Sequence, residues 1–351
     1  MVGSEELRAL RGAIAELMAK TDDGGWDELG AMGLLGLLVP EQYGGAGAGP
    51  VELGVVAEEL GRALFAGPYL STAVLAVNLL AVLDDPTQSE TVLPAIAAGR
   101  SRVAVAFAEG ASTRPPAAPV TSARGDGTAL VTGEKRFVLD ADSADLLYVL
   151  ATTDTGPGVF AVDPAGPGVT VEPSTTVDQS RRLCAVRFAD APATAVGTPG
   201  SGVEALTVAL DHSAVALLGE QAGAARRAME MARDYAKTRY QFGRAIGSFQ
   251  AVKHMCADML LEAESAVSAA RHVAAAAADG SPGWLADLAL AQAYCSDAFV
   301  FVGATNIQVH GGIGFTWEHP AHRYLRRARG DAQLFGSPSW HRERYLREIG
   351  A

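Results

Sequence analysis

Residues 203–239 read VEALTVALDHSAVALLGEQAGAARRAMEMARDYAKTR. Apolar residues and alanines recur there at helical spacing with no proline, so the run predicts one very long helix. Downstream the helical texture continues: GSPGW at 280–284 marks a turn between helices, and the alanine-rich run 269–278 is a strong helix former. Upstream, between 102 and 200, it gives way to short runs rich in Val, Thr and Phe, such as RVAVAFAE, TALVTGEKRFVL and LCAVRFA, separated by Gly, Pro and Asp. That pattern predicts strands of antiparallel character, and turn-forming residues such as those at 164–167 exclude long helices. The first hundred residues are again helical, as in LRALRGAIAELM and VELGVVAEELGRAL, with one break at VPEQYGGAGAGP. The predicted fold class is α+β, with a helical domain over 1–101, a β-domain over 102–200 and a helical bundle over 201–351.

The bulk properties narrow the function. With 351 residues, 49% of them hydrophobic, the chain has material for two or three packed units. A net charge of -12 repels nucleic acid and anionic membranes alike, so a DNA-binding role is disfavoured. Charged or glycine residues interrupt every apolar run short of the roughly 20 residues that a membrane span needs. The acidic start, MVGSEELRAL, does not resemble a signal peptide. The expected location is therefore cytoplasmic. Cys184, Cys256 and Cys295 form no CxxC pair, which predicts buried free thiols with neither a disulfide frame nor a zinc site.

Three segments carry more than periodicity: WDELGAMGLLGLLVPEQYGG at 26–45, RYQFGRAIGSFQAVKHMCADM at 239–259 and QVHGGIGFTWEHPAHRYLRRAR at 308–329. In sequence, order and separation they resemble the acyl-CoA dehydrogenase family. The resemblance implies that family's fold, with a middle β-barrel-like domain and a C-terminal four-helix bundle. It also implies FAD as cofactor, an acyl-CoA substrate, an electron-transfer flavoprotein as acceptor, and an oligomer.

The chemistry of these segments fits a dinucleotide. A pyrophosphate needs positive charge and closely approachable backbone N–H groups, and Arg239, Gly243, Gly311 and Gly312 supply both. Gln308 adds an amide and Phe242 a ring. The resemblance implies that these residues reach across to FAD held mainly by a neighbouring subunit. The alternative is that Arg239 and Phe242 end a helix and fill a core, and His310 is more simply a packed, hydrogen-bonded histidine.

Elsewhere the sequence departs from the family. Its members remove an α-proton with a glutamate while a hydride passes to the flavin. The resemblance places that glutamate at Phe335, within Leu334-Phe335-Gly336, or, in a smaller branch, at Ser213, followed by Ala214 where the family has an arginine. General-base catalysis contributes about 10²- to 10⁴-fold, so a site built on this chain alone is expected to be badly impaired. No catalytic residue is assigned. The hydroxyls that meet the flavin in the family are replaced by Ala108 in AEGASTRP and Leu139 in KRFVLD. Phe137 keeps an aromatic face, and Glu109 and Lys135 persist, with strand-surface charges as the alternative.

Few groups could substitute for the base. Asp211 and His212 lie about 200° and 100° around the helix from Ser213, and Glu220 lies about 10 Å along it, as a packing or flavin-neighbour residue. Glu318 follows the family pattern and reads as structural, while Phe335 retains a backbone N–H able to polarise a thioester. Arg323, Arg326, Arg327 and Arg329 either meet phosphates or tie elements together, and Trp340, His341, Arg342 and Arg344 have no assigned chemistry beyond interface packing. Two functional readings stay open: the non-catalytic chain of an α2β2 acyl-CoA dehydrogenase of the bacterial steroid-degradation type, and a self-sufficient homotetramer with a non-standard base. The acyl group is not legible.

Overall fold

The computed structural model describes residues 4–20, 25–125 and 128–351. Five α-helices come first: α1 (Ser4–Lys20), α2 (Trp26–Ala31), α3 (Pro50–Ala63), α4 (Val77–Leu83) and α5 (Pro86–Ala97). Seven strands follow: β1 (Val103–Ala106), β2 (Ser122–Arg124), β3 (Ala129–Leu139), β4 (Leu146–Thr153), β5 (Gly156–Val162), β6 (Val169–Pro173) and β7 (Leu183–Val196). Then come the long helix α6 (Gly202–Thr238), a hairpin of β8 (Tyr240–Gln241) and β9 (Arg244–Ala245), and helices α7 (Gln250–Ala278), α8 (Trp284–His310), α9 (Ala321–Asp331) and α10 (Pro338–Glu348).

The sheet runs β1-β4-β2-β3-β7-β5, with β6 on β7, and closes into a barrel-like ring because β4 also pairs with β5. Most pairings are antiparallel as the texture predicts, but β4 lies parallel to β1 and β2. Burial alternates along β7, with inward residues such as Cys184, Val186 and Phe188 filling the barrel.

Helix α6 is the spine of the helical part. Glycines let it approach α3 closely: a Cβ on Gly223 would lie 1.9 Å from the Glu58 carbonyl oxygen, and one on Gly61 would lie 2.1 Å from that of Glu220. By length and apolarity α6 and the stretch Trp284–Phe315 do reach the dimensions of membrane spans, contrary to the sequence expectation. Both are interior helices whose apolar stretches are more than half buried against the rest of the chain. Cys184 and Cys295 are buried thiols, whereas Cys256 is only half-buried on α7.

Candidate functional site

Two regions gather the candidate residues. The first is a cleft between the barrel and the helices. A register shift between Lys135 and Val138 on β3 coincides with Phe137 at φ 53, a left-handed conformation that re-aims its ring. The loop after β1 brings Phe107 and Ala108, and the segment after α9 brings Leu334 and Phe335. With Thr113, Phe137 and Leu139 these side chains line a cavity of only about 10 Å³, with no charged group in its lining. That is below the roughly 300–1,000 Å³ of ligand pockets, so the cleft does not fit a flavin ring together with a thioester. Phe335 is 1% exposed and also left-handed, at φ 59.

Among the described residues, the carboxylates near the two base positions are paired. Ser213 is buried, donating to the Ala209 carbonyl at 2.6 Å and accepting from Asn78 Nδ2 at 3.0 Å. Asp211 receives both Arg344 nitrogens, at 2.6 and 2.7 Å. His212 packs on Trp284, and burial holds its pKa down. Glu220 sits between Arg181, at 2.5 Å, and Arg327, while Glu318 faces solvent. Arg327 is buried, bonds Asp178 at 2.8 Å and ties α9 to the barrel and to α6, so it is not a free phosphate ligand. Arg326 donates to the Val177 carbonyl and covers Trp317, whereas Arg323 and Arg329 are exposed.

Glu109 and Lys135 are not surface charges. Lys135 is wholly buried and donates to Glu109 at 2.6 Å. Burial works against the Glu109 charge, yet Lys135 and the Val120 and Thr121 N–H groups hold its carboxyl down to about 2. Burial in turn pulls Lys135 down to about 8, opposed by Glu109. This pair fastens the loop after β1 to β3.

The second region is the far end of the helical part. Tyr235 on α6 stacks on His310 at the end of α8, ring centroids 4.4 Å apart, and His310 lies 4.2 Å from His319. This stack brings residues 239–243 and 308–312 to one end. His310 is buried and its Nδ1–H donates to the Asn306 carbonyl at 2.8 Å, so it is a packed histidine. Phe242 and Gly243 form the two-residue turn of the hairpin, both at positive φ (52 and 76), and the Phe242 ring is 91% exposed. Gln308, Gly311 and Gly312 face solvent, and nothing lies within 4 Å of a Cβ position on Gly243, Gly311 or Gly312. Arg239 is exposed, with no carboxylate partner among the described residues. An unpaired guanidinium, open backbone and an exposed ring fit a dinucleotide.

Sequence reasoning missed the Tyr235–His310 stack and a cluster of Arg114, Asp211, Trp340 and Arg344. Arg114 carries the one charge between 110 and 123, a signal that the loop's Ser/Thr/Pro texture concealed.

Known proteins resemble this chain over most of its length. Residues 4–100 match the description "Acyl-CoA dehydrogenase, N-terminal domain", and residues 200–350 match "Acyl-CoA dehydrogenase, C-terminal domain". The chain is 32% identical over 355 residues to acyl-CoA dehydrogenase IpdE2 of Mycobacterium tuberculosis, covering 96% of this chain and 95% of that protein. It is 38% identical over 327 residues to acyl-CoA dehydrogenase FadE34 of the same organism, covering 92% of this chain but only 41% of FadE34's length. A solved structure, "Tcur3481-Tcur3483 steroid ACAD G363A variant", superposes with a TM-score of 0.86 at 31% identity, covering 99% of this chain and 98% of that one.

Proposed function

The chain belongs to the acyl-CoA dehydrogenase family of oxidoreductases, and we propose that it is the non-catalytic chain of a heteromeric enzyme, completing the FAD site of a glutamate-bearing sister. One asymmetry carries this reading. The cleft that would hold the chain's own flavin and thioester is apolar and closed over Phe335, while Arg239, Phe242, Gln308, Gly311 and Gly312 stand open at the opposite end. In a chain of net charge -12, an exposed guanidinium without a carboxylate partner favours a phosphate. FAD bound in the sister would accept the hydride in α,β-desaturation of an acyl-CoA. The residues of this chain would pair with its pyrophosphate and cover a ring face.

The solved steroid structure carries two chain names, Tcur3481 and Tcur3483, which supports an assembly of two kinds of chain, α2β2, and a steroid-type acyl group. An electron-transfer flavoprotein is the acceptor this reading entails. The test is co-expression with a chain of the same fold that has glutamate at the Phe335 position, followed by counting flavins. About one FAD per two chains is expected, and Arg239→Ala should weaken FAD retention by roughly tenfold, the worth of one charge-assisted hydrogen bond. A stable homotetramer with one FAD per chain and full turnover would overturn the reading.

A further inference from the structure

We infer that Arg114, Asp211, Trp340 and Arg344 form a clasp that shuts this chain's own cleft, fastening the loop after β1 and the C-terminal helix α10 to each other across α6. It rests on the division of labour proposed above and goes beyond it. Loss of a base alone leaves a cleft open to ligands, whereas these contacts close it.

The geometry is specific. The Arg114 guanidinium lies 4.5 Å from the Trp340 ring centroid, 3.8 Å from Asp211 Oδ1, and donates to the Phe335 carbonyl at 3.4 Å. Arg344 takes both oxygens of Asp211, so Arg114 keeps only a distant share of that carboxylate. Beside the Phe335 carbonyl, its main partner is the indole face, an attraction that strengthens as water is excluded. The side chains of Arg114, Asp211 and Arg344 are 12%, 7% and 8% exposed. Burial, together with the Arg344 charge, pulls the Arg114 pKa down to about 10 against the opposing Asp211, leaving the guanidinium charged at neutral pH.

Two further groups complete the surroundings. His341 packs edge-on against Trp340 at 4.9 Å and is neutral, because burial and the Arg114 and Arg344 charges hold its pKa down to about 3. Glu348 accepts from Arg344 Nε at 3.4 Å, and Arg347 lies 5.9 Å from the Trp340 ring. A Cβ on Gly336 would come within 2.9 Å of both His341 and Trp340, so the Phe335 segment is pressed directly against the clasp.

Hydrogen–deuterium exchange on the full chain tests this, comparing the wild type with Arg114→Gln, Trp340→Leu and Trp340→Phe. Arg114→Gln and Trp340→Leu should each speed amide exchange by roughly tenfold or more in both 110–118 and 338–348, while Trp340→Phe, which keeps an aromatic face, stays near wild type. Acceleration confined to one segment, or none, would overturn the clasp. If Trp340→Leu does not fold, Arg114→Gln against Trp340→Phe decides. Flavin counts with a sister chain should be unchanged in Arg114→Gln. An empty sister site would therefore sink the division of labour and leave the clasp standing, whereas uncoupled exchange would do the reverse.

Discussion

In the reading proposed above, Phe335 retires a site without disturbing its frame. Its left-handed backbone and the Gly336 that follows preserve a tight segment, but the side chain belongs to the buried core with Phe107, Leu139 and Leu334. A carboxylate placed there would be desolvated in an apolar lining, which drives it towards its neutral form against the opposing charge of Arg114 beside the Phe335 carbonyl. Phe335→Glu is thus expected to leave acyl-CoA turnover by this chain at background and to lower its thermal midpoint. Turnover rising by the 10²-fold or more of a restored base would show that the cleft is otherwise competent. The family resemblance points to Phe335 and Ser213 as base positions, because both lie at fixed spacing from recognisable motifs. Arg114 was not legible in the same way. Its partners Asp211, Trp340 and Arg344 are separated from it by about a hundred residues or more of chain, and only the folded contacts bring them together.

At the scale of elements, a buried ionic network joins the barrel to α6 and α9. Arg181 bonds Glu220 and Asp331, Arg327 bonds Glu220 and Asp178, and Asp140 at the end of β3 accepts from Ser71 at 2.6 Å. Carboxylates outnumber the guanidinia here, and protonation relieves the surplus. Burial raises Asp140 to about 6, opposed by Ser71, and burial likewise raises Asp331. A raised carboxyl pKa gives stability that is complete below the ordinary aspartate range and is lost as pH rises through the folded value. Between pH 4 and 7 the wild type should therefore lose up to about 3 kcal/mol relative to Asp140→Asn, measured by urea unfolding at each pH. Parallel pH profiles would contradict this. The helix, strand, helix order was legible from periodicity, since α6, α7 and α8 are long and unbroken by proline. The network and the separate Lys135–Glu109 pair were not, because Arg181, Arg327, Lys135 and Glu109 sit in runs that read equally well as solvated charge, and their burial depends on the closure of the barrel.

At the scale of the whole molecule, on the reading proposed above, chemistry is withdrawn from the middle of the chain and kept at one end. The closed cleft, the paired carboxylates and the clasp all lie between the barrel and the bundle, whereas the open arginine, ring and glycines lie past the Tyr235–His310 stack. On that reading the chain meets FAD as a neighbour's ligand. The direct measurement is the flavin content and turnover of this chain purified alone, read from flavin absorbance after denaturation and from bleaching by an acyl-CoA. Far less than one flavin per chain and no bleaching is the predicted result. One tightly held FAD per chain, bleached by substrate, would contradict it.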